Sequence, residues 1–191
     1  MSATFIAEIK TKSPFGYTTN ETFVSLMQYA IKYGDWISVH TNALWGGDYD
    51  ALSFVRNNTD KPILAKGLHK TDDDIKRALD HGADYVLVVD RIPNFHYWNK
   101  VLFEFSTIEG FTNAMETIGD CFHPLKFVYN SRDLRTGLPK KLNEIDKVIA
   151  LNQWTCQASN IVSPADVNPN VQAFIVGECL IDYCKTSDRI S

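Results

Sequence analysis

The sequence predicts an α/β protein: a (β/α)8 TIM barrel, compact, with trimmed helices. Three observations carry that expectation. Short apolar, strand-like runs alternate with amphipathic, helix-like stretches, giving eight strand-then-helix units at intervals of roughly 20 to 30 residues. No composition break or low-complexity linker interrupts them, so residues 1–191 read as one domain. Charged or amide side chains fall inside several strand-like runs, toward the C-terminal halves, where a barrel gathers its active site. A doubly wound parallel sheet is the runner-up. A chain of 191 residues is short for a barrel, whose usual range begins near about 200, so several helices must be cut down.

In order, "TFIAEIK" is a strand, followed by the helix "NETFVSLMQYAIKYG". There Phe23, Leu26, Met27, Ala30 and Ile31 keep helical spacing, Asn20 can cap and Gly34 can end the run. "DWISVHT" is the second strand and "DYDALSFVRN" a short helix. "KPILAKG" is the third strand and "TDDDIKRALDHG" its helix, with Thr71 as cap, aspartates at the positive end of the dipole, and Gly82 closing it. "DYVLVVD" is the fourth strand, and the "RIPNFHYWNK" after it shows no helical pattern. "VLFEFS" and "TIEGFTNAMETIG" make the fifth unit, "LKFVYN" and "PKKLNEIDKVIAL" the sixth. "WTCQAS" is a weaker seventh strand with one turn around "SPADV"; "VQAFIVG" and "ECLIDYCK" finish the chain.

Composition narrows the function classes. The chain is 45% apolar and 22% charged, an ordinary globular balance. A net charge of −4 and a pI near 5.7 argue against nucleic acid as main partner, because phosphate neutralisation needs a basic face. No apolar run is long enough to span a bilayer, and "MSATFIAEIK" lacks the basic start of a signal peptide. Cys121, Cys156, Cys179 and Cys184 form no C-x-x-C pair, so reduced thiols in a cytoplasmic protein are expected. His40, His69, His81, His96 and His123 show no ligand spacing, so no metal site is expected.

Side chains alternate across a strand, so in "FIAEIK" Ile6, Glu8 and Lys10 share the face that a barrel turns inward. The same arithmetic pairs Leu64 with Lys66, Leu102 with Glu104, and Val128 with Asn130, with Arg132 just beyond the strand. One buried charge is ordinarily a satisfied structural ion; four strands converging with both signs predict a pocket prepared for an anionic substrate. Lys10, Lys66 and Arg132 are expected to neutralise Glu8 and Glu104.

Those residues carry a resemblance. "IAEIKTKSPFG" is similar to the first-strand E-x-K-x-x-S-P signature of the indole-3-glycerol phosphate synthase family, and "NSRDLRT" to its loop after the sixth strand. "ISVHTNALWGGDYDAL", "PILAKGLHKTDDDIKRALDHGADYVLVV", "LFEFSTIEGFTNA" and "IVGECLI" resemble its second, third to fourth, fifth and eighth strands, in order. The resemblance implies that 1-(2-carboxyphenylamino)-1-deoxyribulose 5-phosphate closes its ring, losing CO2 and water, with no cofactor. It implies Lys66 as general acid and Glu104 as general base, with Glu8 and Lys10 positioning them and Asn130 nearby. Arg132 falls near the anthranilate end, where its planar fork suits a carboxylate. Lys12, Ser13, Ser159 and Asn160 fall near the phosphate and substrate, with Gly177 and Glu178 offering backbone N–H groups. Trp45, Leu68, Leu87 and Leu134 are implied as apolar walls, ordinary core being the alternative reading of that set.

The chain departs from the pattern at four places. "QASNI" stands where the family has Ser-Glu-Ser-Gly-Ile, so Ala158 replaces a carboxylate and Asn160 a glycine; Asn tolerates positive φ. Lys66-Gly67-Leu68 replaces the common Lys-Asp-Phe. The helical segment ahead of the first strand and the stretch between strands four and five are missing or cut. Weaker activity than the family's is expected, with Ala158→Glu raising turnover. A second copy covering the barrel floor, a weak homodimer, is a further expectation. Two other readings stand beside the synthase: a phosphoribosylanthranilate isomerase-like enzyme, and a non-catalytic barrel that binds a phosphorylated ligand.

Overall fold

Alternating apolar positions close eight short segments into a parallel barrel. The computed structural model describes residues 2–119, 125–133, 135–140, 144–151 and 154–187. The strands are β1 (Thr4–Ile9), β2 (Trp36–His40), β3 (Ile63–Lys66), β4 (Tyr85–Val89), β5 (Val101–Glu104), β6 (Lys126–Asn130), β7 (Thr155–Ala158) and β8 (Ala173–Val176). Each pairs with the next in chain order, and β1 closes on β8 with Phe5 opposite Phe174. That order excludes the doubly wound alternative and gives the (β/α)8 barrel.

The helices among the described residues are short: α1 (Phe23–Tyr33), α2 (Tyr49–Arg56), α3 (Asp72–Asp80), α4 (Ile108–Ile118), α5 (Glu144–Leu151) and α6 (Leu180–Ser187). Between β4 and β5 a 3-10 segment, Phe95–Lys100, stands in place of a helix, and Pro164–Asp166 makes a single turn between β7 and β8. Thr22, not Asn20, caps α1 by accepting from Ser25 N–H, because the chain turns helical only at Phe23. Thr71 and Asp74 form a reciprocal capping box on α3, which His81 ends as C-cap, with Gly82 following in the left-handed region.

Two apolar layers result. Inside the barrel Ile6, Leu64, Leu102, Val128, Cys156 and Ile175 fill the middle, above a floor where Trp36 stacks on Tyr85 and Trp154. Outside, Ala7, Ile9, Phe103 and Phe127 face the helices, and Phe111 of α4 packs its ring 5.2 Å from Phe127. On the floor side, carboxylates anchor the strand starts: Asp35 accepts from Phe5 N–H and Asp84 from Ile63 N–H and Arg56. The opposite end is thereby free to hold polar groups.

Candidate active site

The C-terminal strand ends bring charge into the barrel where the apolar filling stops. Glu8, Lys66, Glu104 and Asn130 all point inward, and Glu8 and Glu104 are buried to 4% and 3% exposure. Lys66 Nζ donates to Glu8 Oε2 at 3.0 Å, and Asn130 Nδ2 donates to Glu104 Oε1 at 3.0 Å. Glu104 Oε2 is buried with no hydrogen-bond partner among the described residues.

Among the described residues, only one of the expected pairs is in direct contact. Lys66 reaches Glu8, whereas Lys10 and Arg132 go to Glu178. Lys10 Nζ donates to Glu178 Oε1 at 2.8 Å, and the Arg132 fork donates to Oε1 and Oε2 at 2.7 and 3.0 Å. The reason is closure: β1 lies against β8, so Lys10 beyond β1 meets the residue just beyond β8 before any other carboxylate. Glu178 therefore enters the site through its side chain, whereas the expectation concerned its backbone N–H. It lies in the turn ahead of α6, which begins at Leu180.

Electrostatics divides these groups. Burial would raise the Glu8 carboxyl, but Lys66, His40 and Lys10 hold it well below the ordinary 4.5. Burial keeps Glu104 above 4.5 even though Lys66 and Asn130 oppose it. Burial acts to lower the Lys66 ammonium, yet Glu8 and Glu104 carry it above its ordinary 10.5. Burial acts against the Glu178 charge, and hydrogen bonds from Arg132 and Lys10 bring it down to about 2. The pocket thus holds a proton donor beside a carboxylate that binds its proton more tightly than usual.

The cavity has two adjoining lobes that share Lys10, Arg132 and Ser159. Trp45, Leu68 and Leu87 line the first together with Lys66, Glu104 and Asn130. Asn160, Gly177 and Glu178 line the second with Glu8. Lys12 and Ser13 line neither. Their loop doubles back, bridging Lys12 to Thr18, so Lys12 faces solvent and Ser13 Oγ accepts from Phe15 N–H. Leu134 lies outside the described residues.

Local chemistry explains two of the departures. Asn160 adopts φ 55° and Ser159 φ 67°, and Asn160 Nδ2 donates to Ser131 O and Oγ, latching the loop to the end of β6. A Cβ at Gly67 would lie 2.7 Å from Thr41 Oγ1 and 3.2 Å from the His69 ring. His69 in turn is pinned by donating Nδ1–H to Leu87 O at 2.6 Å, so a side chain at 67 would have to displace Thr41 Oγ1 and press on a ring that has little room to move. Gly177 is similarly obliged, because a Cβ there would lie 2.9 Å from Glu8 Cδ.

Residue-by-residue reading missed Phe15, which lines the first lobe under Arg132 with 5.9 Å between the cation and the ring centroid. It also missed His40, whose Nε2 is 2.5 Å from Glu8 Oε1. For His40 the signal was present: in "ISVHT" it occupies the inward register of β2. Among the described residues no group of His, Cys, Asp and Glu could hold a metal ion, and no helix is long and apolar enough to cross a membrane. A family model described as "Indole-3-glycerol phosphate synthase" matches residues 1–191.

Proposed function

The chain belongs to the indole-3-glycerol phosphate synthase family, carboxy-lyases of tryptophan biosynthesis acting on a phosphorylated small-molecule substrate, and from that premise we propose which residues carry the reaction. Lys66 protonates the C2 oxygen of the ribulose chain as the carboxylate-bearing ring carbon attacks C2. The new ring carbon then releases CO2, returning its electron pair to the aromatic ring. The C2 hydroxyl departs as water, and Glu104 removes the proton from C1 that completes the indole double bond. That proton balances the one taken up by the departing hydroxyl, so the net demand is the single proton Lys66 supplies at ring closure. The observation that carries this division is the Lys66–Glu8 contact at 3.0 Å facing a buried Glu104 whose second oxygen has no partner among the described residues.

Glu8 and Lys10 position the acid and the substrate, and Asn130 fixes one oxygen of Glu104. Arg132 exchanges Glu178 for the substrate's anthranilate carboxylate, a swap between two planar bidentate partners. Trp45 and Leu87 wall the aromatic ring. Ser159 and Asn160, with the backbone of Gly177 and Glu178, hold the phosphate. The thiols of Cys156 and Cys179 support a reducing, cytoplasmic location. The direct test adds the carboxyphenylamino-deoxyribulose phosphate and follows indole fluorescence. Turnover by the wild type and its loss in Lys66→Ala are expected; wild-type turnover in that variant would refute the acid assignment. Tight binding without turnover would favour a non-catalytic barrel.

A further inference from the structure

His40 has no part in the reaction as divided above, yet it lies at its centre. It pairs in register with Lys66 across β2 and β3, is 4% exposed, and lines the same lobe as Lys66 and Glu104. Two contacts fix its ring: Nε2 lies 2.5 Å from Glu8 Oε1, and Trp45 stacks on it at 5.8 Å with a 6° interplanar angle. Glu8 is ionised by its company with Lys66 and can only accept, so the imidazole proton must sit on Nε2. Nδ1 then carries a lone pair. That nitrogen is buried and has no hydrogen-bond partner among the described residues. Buried polar atoms are nearly always satisfied, so an exception inside a ligand cavity points to the ligand. Rotating the ring to hide Nδ1 would break the Glu8 contact.

Resting on the reaction proposed above, we infer that His40 is a substrate-binding residue whose Nδ1 accepts a hydrogen bond from a hydroxyl of the ribulose chain, beside the carbonyl that Lys66 protonates. An ionised carboxylate or phosphate has no proton to offer that nitrogen. The hydroxyls at C3 and C4 do, and C3 adjoins the reacting carbon. Locked by Glu8 and Trp45, His40 selects a polyhydroxylated chain over a deoxygenated one.

The test uses equilibrium binding to the full chain, read by calorimetry. The ligand is the reduced analogue, in which the C2 carbonyl is an alcohol and the ring cannot close, beside its 3-deoxy and 4-deoxy forms. The wild type should bind one deoxy form about tenfold more weakly than the parent, the usual size of a lost hydrogen bond to a buried partner. His40→Gln keeps a donor where Nε2 meets Glu8 and removes the acceptor at the Nδ1 position. It should bind the parent about tenfold more weakly and no longer distinguish the two. His40→Asn, which keeps an acceptor near Nδ1 and drops the Glu8 bond, should retain the distinction. Failure of the wild type to discriminate overturns the inference with no variant needed, and so does undiminished discrimination in His40→Gln. Either result leaves indole formation untouched. A wild type that forms no indole and binds no analogue overturns the proposed reaction together with the inference.

Discussion

Glu104 shows what one residue gives up to serve a site. Its carboxyl is buried, its pKa is raised by that burial, and one oxygen has no partner among the described residues. A group whose folded pKa exceeds its unfolded value contributes stability that is fully present below the unfolded value, here about 4.5, and lost as pH rises through the folded one. At neutral pH the ionised carboxylate is therefore a net liability. Glu104→Gln should raise the thermal midpoint at pH 7 to 8 while abolishing indole formation; a lower midpoint there would show that the charge stabilises the fold. Alternation alone put Glu8, Lys66, Glu104 and Asn130 on the inner face, because that is a local property of each strand. It could not say that Lys10 and Arg132 would find Glu178, since partners across a barrel depend on how distant strand ends meet. His40 was legible by the same alternation, but a lone histidine without ligand spacing gave no reason to weigh it.

At the scale of elements, the strands, the α1, α2 and α3 helices and the turn at Pro164–Asp166 follow from apolar spacing and caps. Loop geometry was less legible, because a loop's path depends on what it lies against. Lys12 and Ser13 belong to a specific first-strand motif, yet their loop doubles back and turns them from the cavity. The turn after β8 carries the clearest functional consequence. Glu178 satisfies Lys10 and Arg132 together, so it competes with any incoming carboxylate. Glu178→Gln should lower KM several-fold with a smaller change in kcat, measured by steady-state indole fluorescence; a raised KM would show that Glu178 orders the cations more than it occupies them. The α4 helix has a structural test. Phe111 is buried between Phe105 and Phe127, so Phe111→Ala should cost about 3–5 kcal/mol in denaturant unfolding.

For the whole molecule, closure makes strand ends that are far apart in sequence share one titrating site, and the pH dependence should report it. With the roles proposed for them, turnover needs Glu104 ionised and Lys66 protonated. Glu104 is held above 4.5 by burial, so the acid limb of kcat should lie above the ordinary glutamate value. Lys66, opposed by burial but raised by Glu8 and Glu104, keeps its proton beyond 10.5, so no alkaline limb should appear before that pH. Stability runs on other groups. Glu8, depressed well below 4.5, contributes stability that is present above its unfolded value and lost only as pH falls through its folded one. His40, depressed by burial below 6.5, subtracts from stability as pH drops beneath that value, because the unfolded chain takes up the proton first. Protonation of Glu104 works the other way and favours the folded state as pH falls. The barrel should therefore lose activity on acidification before it unfolds. Near-UV circular dichroism recorded alongside kcat should stay native across the acid limb, and returning to about pH 8 should restore turnover. An acid limb at or below 4.5, or one coincident with loss of the dichroism signal, would place the titrating group outside the pair formed by Glu104 and Lys66.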